Sequence, residues 1–121
     1  MRTAIFALAG AWLAGALLLG CDDSDVSRRV GARCDTSDDC DERCLASGLQ
    51  YPGGFCSVTC ASNADCPGNA VCAVIGSASD PDAVCLFTCA NDGACAFLGE
   101  AWACQPLDRA DGGNKVKVCR G

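Results

Sequence analysis

Three stretches of the chain share one cysteine spacing and decide its fold: "CDTSDDC" at 34–40, "CASNADC" at 60–66 and "CANDGAC" at 89–95. In each stretch, five residues separate two cysteines, and most of them are Asp, Asn, Ser or Gly. Short polar side chains of this kind favour turns over helices. The repeated spacing indicates an internal repeat of short units rather than one continuous domain.

Two further cysteines follow each of these stretches, and the gaps before them lengthen along the chain. The second gap is three, then five, then eight residues, and the third gap is eleven, twelve, then fourteen. Consecutive rows of four are joined by a three-residue spacer, "SVT" and then "LFT". We therefore predict three tandem modules, which span residues 34–59, 60–88 and 89–121.

The second half of each module reads as a short hairpin, with two strand-like runs on either side of a turn. In the middle module, "VCAVI" (71–75) and "AVCLFT" (83–88) flank the turn "GSASDPD", and "AWACQPL" and "KVKVC" flank a similar turn in the last. An isolated hairpin is marginally stable in water, so we expect two disulfides per module to support it, each by about 3 kcal/mol. The predicted fold is small and disulfide-rich, with little regular secondary structure and three tandem short β-hairpin modules after a helical signal peptide.

Four cysteines in a module allow three pairings, and the spacing alone does not choose among them. We favour first-to-third and second-to-fourth bonds, because these interlock the opening loop with both strands of the hairpin. Bonds between neighbouring modules are the alternative, since the last cysteine of one module lies close to the first of the next. The favoured pairs are Cys34–Cys44, Cys40–Cys56, Cys60–Cys72, Cys66–Cys85, Cys89–Cys104 and Cys95–Cys119.

Residues 1–20 read as a signal peptide, with a positive charge at Arg2 and an apolar run over 4–19. A membrane-spanning anchor is the alternative, but acidic rather than basic residues follow the run. From residue 21 onward only nineteen side chains are Val, Ile, Leu, Met, Phe, Trp or Tyr, too few for an ordinary core. This composition, with its dense cysteines, is typical of a disulfide scaffold in an oxidising compartment.

The charge balance excludes one class of partner. Without residues 1–20, the chain has eight basic and fifteen acidic side chains. Nucleic acid and anionic membrane surfaces are both polyanions, so the acidic balance argues against either of them as a partner.

Cys21 is the cysteine that the modules leave over, since the chain holds thirteen and the three rows use twelve. It stands at the predicted cleavage site, and "LLGC" at 18–21 resembles the lipobox of bacterial lipoproteins. The resemblance implies that a diacylglyceryl group alkylates this thiol and that a peptidase then cuts after Gly20. The alternatives are a conventional signal peptide with a free thiol, or an intermolecular disulfide.

The stretch "DDSDVSRRVGAR" continues from Cys21 and has no apolar period. We expect residues 21–33 to form a lipidated, flexible tether that holds the modules about 20 Å from the anchor. Within it, the pair Arg28–Arg29 is read either as a protease site or as charge that keeps the tether soluble.

The lipobox, the acidic tether and the tandem modules together resemble cysteine-rich lipoproteins of Gram-negative bacteria, notably those of myxobacterial type. The modules are similar to the amino-terminal cysteine-rich domain of dickkopf proteins and, more loosely, to EGF-like and tenascin-like repeats. The resemblance implies an extracytoplasmic protein of the cell envelope, with the membrane as partner through Cys21. In some lineages an aspartate after the lipidated cysteine retains a lipoprotein at the inner membrane, as Asp22 would; inner and outer membrane both stay open.

Catalysis is not expected, because the chain has no histidine and therefore lacks the most common general base. We predict no catalytic residue, cofactor or structural metal. Zinc sites favour Cys-x2-Cys pairs, and the closest spacing here is Cys-x3-Cys. Thiolate metal binding stays an alternative function. A calcium site in the first acidic loop also stays open, with the candidate ligands Asp35, Asp38, Asp39, Asp41 and Glu42.

Five aromatic side chains after residue 50 form either a ligand-binding face or the small cores of the modules: Tyr51, Phe55, Phe87, Phe97 and Trp102. We favour the cores because apolar residues are scarce. The expected function is non-enzymatic display, binding or structural support, with an unknown protein partner. A disulfide-rich protease inhibitor that presents "SASDPDA" (77–83) is the alternative.

Overall fold

The computed structural model describes residues 26–121, which form three small antiparallel sheets of two strands each. The strand pairs are β1 (Arg43–Leu45) with β2 (Phe55–Ser57), β3 (Ala70–Val74) with β4 (Ala83–Phe87), and β5 (Ala103–Leu107) with β6 (Val116–Arg120). A 3₁₀ helix precedes each hairpin: η1 (Ser37–Asp39), η2 (Asn63–Asp65) and η3 (Asp92–Leu98). The predicted disulfide-rich fold of three hairpin modules is confirmed. The predicted signal peptide and Cys21 lie outside the described residues.

Each hairpin places the third and fourth cysteines of its module directly opposite each other, as Cys72 and Cys85 are in the middle module. They are not bonded to each other, because each reaches back to the opening loop. The observed disulfides join first to third and second to fourth cysteine throughout, which is the pairing favoured above. They are Cys34–Cys44, Cys40–Cys56, Cys60–Cys72, Cys66–Cys85, Cys89–Cys104 and Cys95–Cys119.

The spacers between modules extend the hairpins that follow them. The backbone N–H of Cys60 donates to the carbonyl of Ala83 at 3.1 Å, and that of Cys89 donates to the carbonyl of Lys117 at 3.1 Å. The second strand of these modules therefore has hydrogen-bonded neighbours on both edges. Pairing the outer edge satisfies backbone groups that a two-stranded sheet would leave open.

Residues 26–33 do the same for the first module, so the expected flexible tether is wrong for this part of the chain. The N–H of Gly31 donates to the carbonyl of Cys56 at 2.8 Å, and the side chain of Val30 is fully buried. The segment occupies the place that the spacers take in the later modules. It is ordered because it covers the open edge of β2 and contributes an apolar side chain to the core.

Arg28 and Arg29 hold this segment against the 3₁₀ helices of the first two modules. The Arg28 guanidinium donates to the carbonyl of Asp38 at 3.0 Å and forms an exposed ion pair with Asp41 at 3.7 Å. Arg29 donates to the carbonyl of Asp65 at 3.3 Å. Both side chains therefore have contacts that neither of the sequence-based interpretations included.

One aromatic cluster joins the three modules, and Phe55 lies at its centre with no exposed surface. Its ring centroid is 6.5 Å from Tyr51, 5.8 Å from Phe87 in the middle module and 5.5 Å from Trp102 in the last. The expectation of a separate small core in each module is therefore wrong. A two-stranded hairpin has too little surface to bury an aromatic ring alone, so the modules pool their rings.

A bidentate ion pair adds a polar link between the first two modules. The guanidinium of Arg43 on β1 binds both carboxylate oxygens of Asp82, at 3.1 and 3.0 Å. The same guanidinium donates to the hydroxyl of Thr59 at 3.1 Å. Fork-to-fork geometry fixes the relative orientation of the two groups, and it lowers the pKa of Asp82.

We predict that Phe55→Ala lowers the free energy of unfolding by about 3–5 kcal/mol, because it empties the centre of the shared cluster. Guanidinium chloride unfolding without reductant measures the change. Leu49→Ala is the matched control: Leu49 is 92% exposed, and its truncation is expected to change stability by no more than about 0.5 kcal/mol. Equal effects of the two substitutions would contradict a shared core.

We also predict that trypsin leaves the Arg29–Val30 bond intact in the native protein. The bond is held by the docked segment, and Val30 is buried, so the backbone cannot extend into a protease site without local unfolding. Peptide mass mapping detects cleavage, and the reduced, alkylated chain is the control that is cut. Cleavage at the same rate in both samples would show that the segment is free.

Candidate functional site

All twelve cysteines in the described part of the chain are oxidised, so they are not available as thiolate ligands. In each module three sulfur atoms lie within 4.8 Å of one another, as those of Cys34, Cys40 and Cys44 do. The interlocked disulfides cause this proximity, since two bonds cross between one loop and one hairpin. A disulfide sulfur carries no thiolate charge, and a zinc site here would require reduction of the module.

The acidic loop that offers candidate calcium ligands uses one carboxylate to hold its own backbone. The carboxylate of Asp39 accepts hydrogen bonds from the backbone N–H groups of Asp35, at 2.9 Å, and Thr36, at 3.3 Å. These bonds favour the charged form and lower the pKa of Asp39. Asp41 is paired with Arg28. The three remaining candidates, Asp35, Asp38 and Glu42, are exposed.

The middle module repeats this device. The carboxylate of Asp65 accepts from the N–H groups of Ala61, at 2.8 Å, and Ser62, at 3.2 Å, and its pKa is lowered for the same reason. In the last module Ala94 takes the equivalent place, and its N–H donates to the side-chain oxygen of Asn91 at 3.1 Å. The carboxylate before the second cysteine is therefore a capping group in two of the three modules.

A second polar position in the loops has a structural role that the sequence did not reveal. The side-chain oxygen of Asn63 accepts from the N–H of Cys72 at 3.0 Å, and that of Asp92 accepts from the N–H of Cys104 at 2.8 Å. Both residues stand three positions after the first cysteine of their module. The shared position and shared side-chain chemistry are the signal that would have identified this loop-to-strand bond.

The aromatic side chains do not form a ligand-binding face, because four of the five lie in the shared core. Phe97 is the exception, with 56% of its surface exposed, while one side of its ring packs on Phe87 at 5.5 Å between centroids. Phe97 is therefore the one large apolar side chain that the last module exposes.

The loop considered for protease inhibition is a closed turn. Ser77 and Asp80 exchange backbone hydrogen bonds at 3.1 Å in each direction, and the N–H of Ile75 donates to the carbonyl of Asp82 at 2.9 Å. The Asp82 carboxylate is already bound to Arg43. Because these backbone groups are paired within the loop, they are not free to pair with an extended partner.

An open groove of about 520 Å³ lies along residues 43–51, a feature that the sequence did not indicate. Leu49 lines it with an exposed side chain, and Tyr51 lines it with a buried hydroxyl that makes no hydrogen bond to the described residues. Burial raises the pKa of Tyr51. The lining includes no carboxylate or imidazole, so the groove offers binding contacts and no acid–base pair.

No protein-family model, no curated protein and no solved structure matches this chain. Six disulfides in so short a chain indicate an extracytoplasmic or otherwise oxidising environment. Within residues 26–121, no helix combines the length and the apolar character that crossing a membrane requires.

We predict that acid weakens the opening loops. The native pKa of Asp65 lies below its unfolded value of about 3.9, so its contribution to stability is present above that pH and is lost as the pH falls through the native pKa. Asp65→Asn should therefore flatten the decline in stability with acid. Unfolding midpoints between pH 6 and pH 2 test this, with exposed Asp111→Asn as the control. Identical pH profiles for the wild type and Asp65→Asn would contradict the capping role.

Proposed function

We propose that this protein is a lipoprotein of the cell envelope, held in a membrane by acyl chains on Cys21. The observation that carries the proposal is a cysteine count. The chain has thirteen cysteines, and the six disulfides use all twelve that follow Cys21. One thiol is left over, and it stands directly after "LLG", where lipobox chemistry would alkylate it.

Lipidation also explains why an odd cysteine is tolerated. A free thiol in an oxidising compartment is exposed to oxidation and to disulfide exchange with other proteins. A thioether to a diacylglyceryl group removes both reactions. Acylation of the new amino group would add a further chain, and two or more chains give stable membrane anchoring.

The body of the protein serves in this proposal as a non-enzymatic display or binding element. Its six disulfides and shared core support a rigid, protease-resistant scaffold. The groove along residues 43–51 supplies a surface for a protein partner, whose identity is open. The absence of histidine from the whole chain and of acid–base groups from the groove favours binding over catalysis.

Intact mass spectrometry of the full chain, produced in an exporting Gram-negative bacterium, tests the anchoring. We expect a product in the membrane fraction that begins at Cys21, carries diacylglyceryl and acyl mass, and contains twelve oxidised cysteines. Cys21→Ser is the control, and it should lose the lipid mass. A water-soluble product of the wild type with an unmodified Cys21 would overturn the proposal.

The same preparation separates display from thiolate metal binding. If the body is a display element, a thiol assay under non-reducing conditions should find no free cysteine, and unfolding should release no zinc. Stoichiometric zinc with several free thiols would instead support the metal-binding alternative.

A further inference from the structure

The last module differs from the other two on the surface of its 3₁₀ helix. The exposed side chains of η1 are Ser37, Asp38 and Asp39, and those of η2 are Ala64 and Asp65. In η3, by contrast, the exposed residues after Asp92 are Gly93, Ala94, Ala96 and Phe97, none of which is polar. Before the second cysteine, two modules thus expose a carboxylate, while the third exposes Ala94 there and Ala96 and Phe97 after it.

This apolar surface lies near the point where the chain from Cys21 enters the body. Gly31 contacts both Val26 and Phe87 so closely that a methyl group on it would stand 3.3 Å from the Val26 Cα and 2.6 Å from the Phe87 ring. Phe87 in turn packs against Phe97, with 5.5 Å between ring centroids. A continuous line of contacts therefore connects the first described residue to the exposed ring.

The length of chain outside the described body limits how far that body stands from the anchor. Residues 26–33 are docked on the body and do not belong to a long tether. The link between Cys21 and the body is therefore only the four residues that precede Val26. Even fully extended, five residue steps reach no more than about 18 Å. An acylated Cys21 would thus keep the entry point of the body, and the Phe97 surface beside it, within reach of the lipid headgroups.

We propose that the exposed face of η3, defined by Ala94, Ala96 and Phe97, lies against the surface of the membrane that holds the anchor. Phe97 inserts its ring between the lipids and fixes the orientation of the body, so that the groove along residues 43–51 is presented in a constant direction. The inference rests on the proposed acylation of Cys21. The partner is the lipid bilayer itself, since an apolar ring beside a lipid anchor is stabilised by removal from water.

Quenching of tryptophan emission by brominated lipids tests this orientation. The variant is Phe97→Trp, and the matched control is Leu49→Trp. Leu49 is the other large apolar side chain exposed in residues 26–121. It lines the same groove as Tyr51, and the rings of Phe55 and Phe87 lie between Tyr51 and Phe97. Trp102, the single native tryptophan after residue 21, is 5% exposed and contributes the same background to both variants.

Two preparations keep failure of the orientation distinct from failure of the anchoring. In one, the acylated chain from the bacterial membrane is placed in uncharged phosphatidylethanolamine and phosphatidylcholine vesicles that contain brominated lipid. In the other, the chain from Cys21 onward is coupled through its free thiol to maleimide-phosphatidylethanolamine in the same vesicles. The second does not depend on whether a cell acylates Cys21, and near-ultraviolet circular dichroism checks that each variant is folded.

We expect the Phe97→Trp emission to be quenched several-fold more strongly, and shifted further to the blue, than the Leu49→Trp emission in both preparations. Equal quenching of the two variants, or no quenching of Phe97→Trp in the coupled sample, would overturn the proposal. A blue shift of Phe97→Trp that grows with protein concentration in the absence of lipid would also overturn it, because a second copy of the chain would then be the partner.

Discussion

The structure depends on the inability of a two-stranded hairpin to bury an aromatic ring. Each module has two strands, two disulfides and a polar loop, and none has enough apolar surface for its own core. The modules therefore pack around Phe55, which contacts rings from all three. The disulfides hold each module in shape, and the shared cluster holds the modules together.

In the opening loops, some positions hydrogen-bond the backbone of their own module, and others only face solvent. The carboxylate before the second cysteine caps the loop in the first two modules. In the last two, the third residue after the first cysteine accepts a hydrogen bond from the first strand of the hairpin. The solvent-facing residues of η1 and η2 include Asp38, Asp39 and Asp65, while those of η3 after Asp92 are only Gly, Ala and Phe. Each structural position thus keeps its hydrogen-bonding role in two of the three modules, and the exposed positions of η3 differ most from those of the other two helices.

Residues 26–33 connect the fold to the proposed location. A free tether would let the body tumble at a distance from its anchor, but this segment pairs with Cys56 and buries Val30. Four residues then remain between the body and Cys21. In the proposed location, the docked segment would keep the body close to the membrane, so that an exposed side chain such as Phe97 could fix its orientation.

Much of the fold could be predicted from local patterns. The three cysteine rows predicted the modules, the alternation after Cys66 predicted β3 and β4, and the choice of interlocking bonds agrees with the observed pairs. Each of these signals lies within about thirty residues. The docking of residues 26–33 had no such signal, because it depends on contacts such as Arg29 with Asp65 and Gly31 with Phe87, which join segments far apart in the chain.

The sequence by itself determined how many modules form, how large they are, and that one cysteine, Cys21, is left over. These properties follow from covalent spacing and from the parity of the cysteines, which need no three-dimensional information. Only the tertiary structure decided that the aromatic rings are pooled in one core, that residues 26–33 belong to the body, and that Phe97 stays exposed. Burial depends on which surfaces meet, and the pattern within each module is compatible with either three separate cores or one.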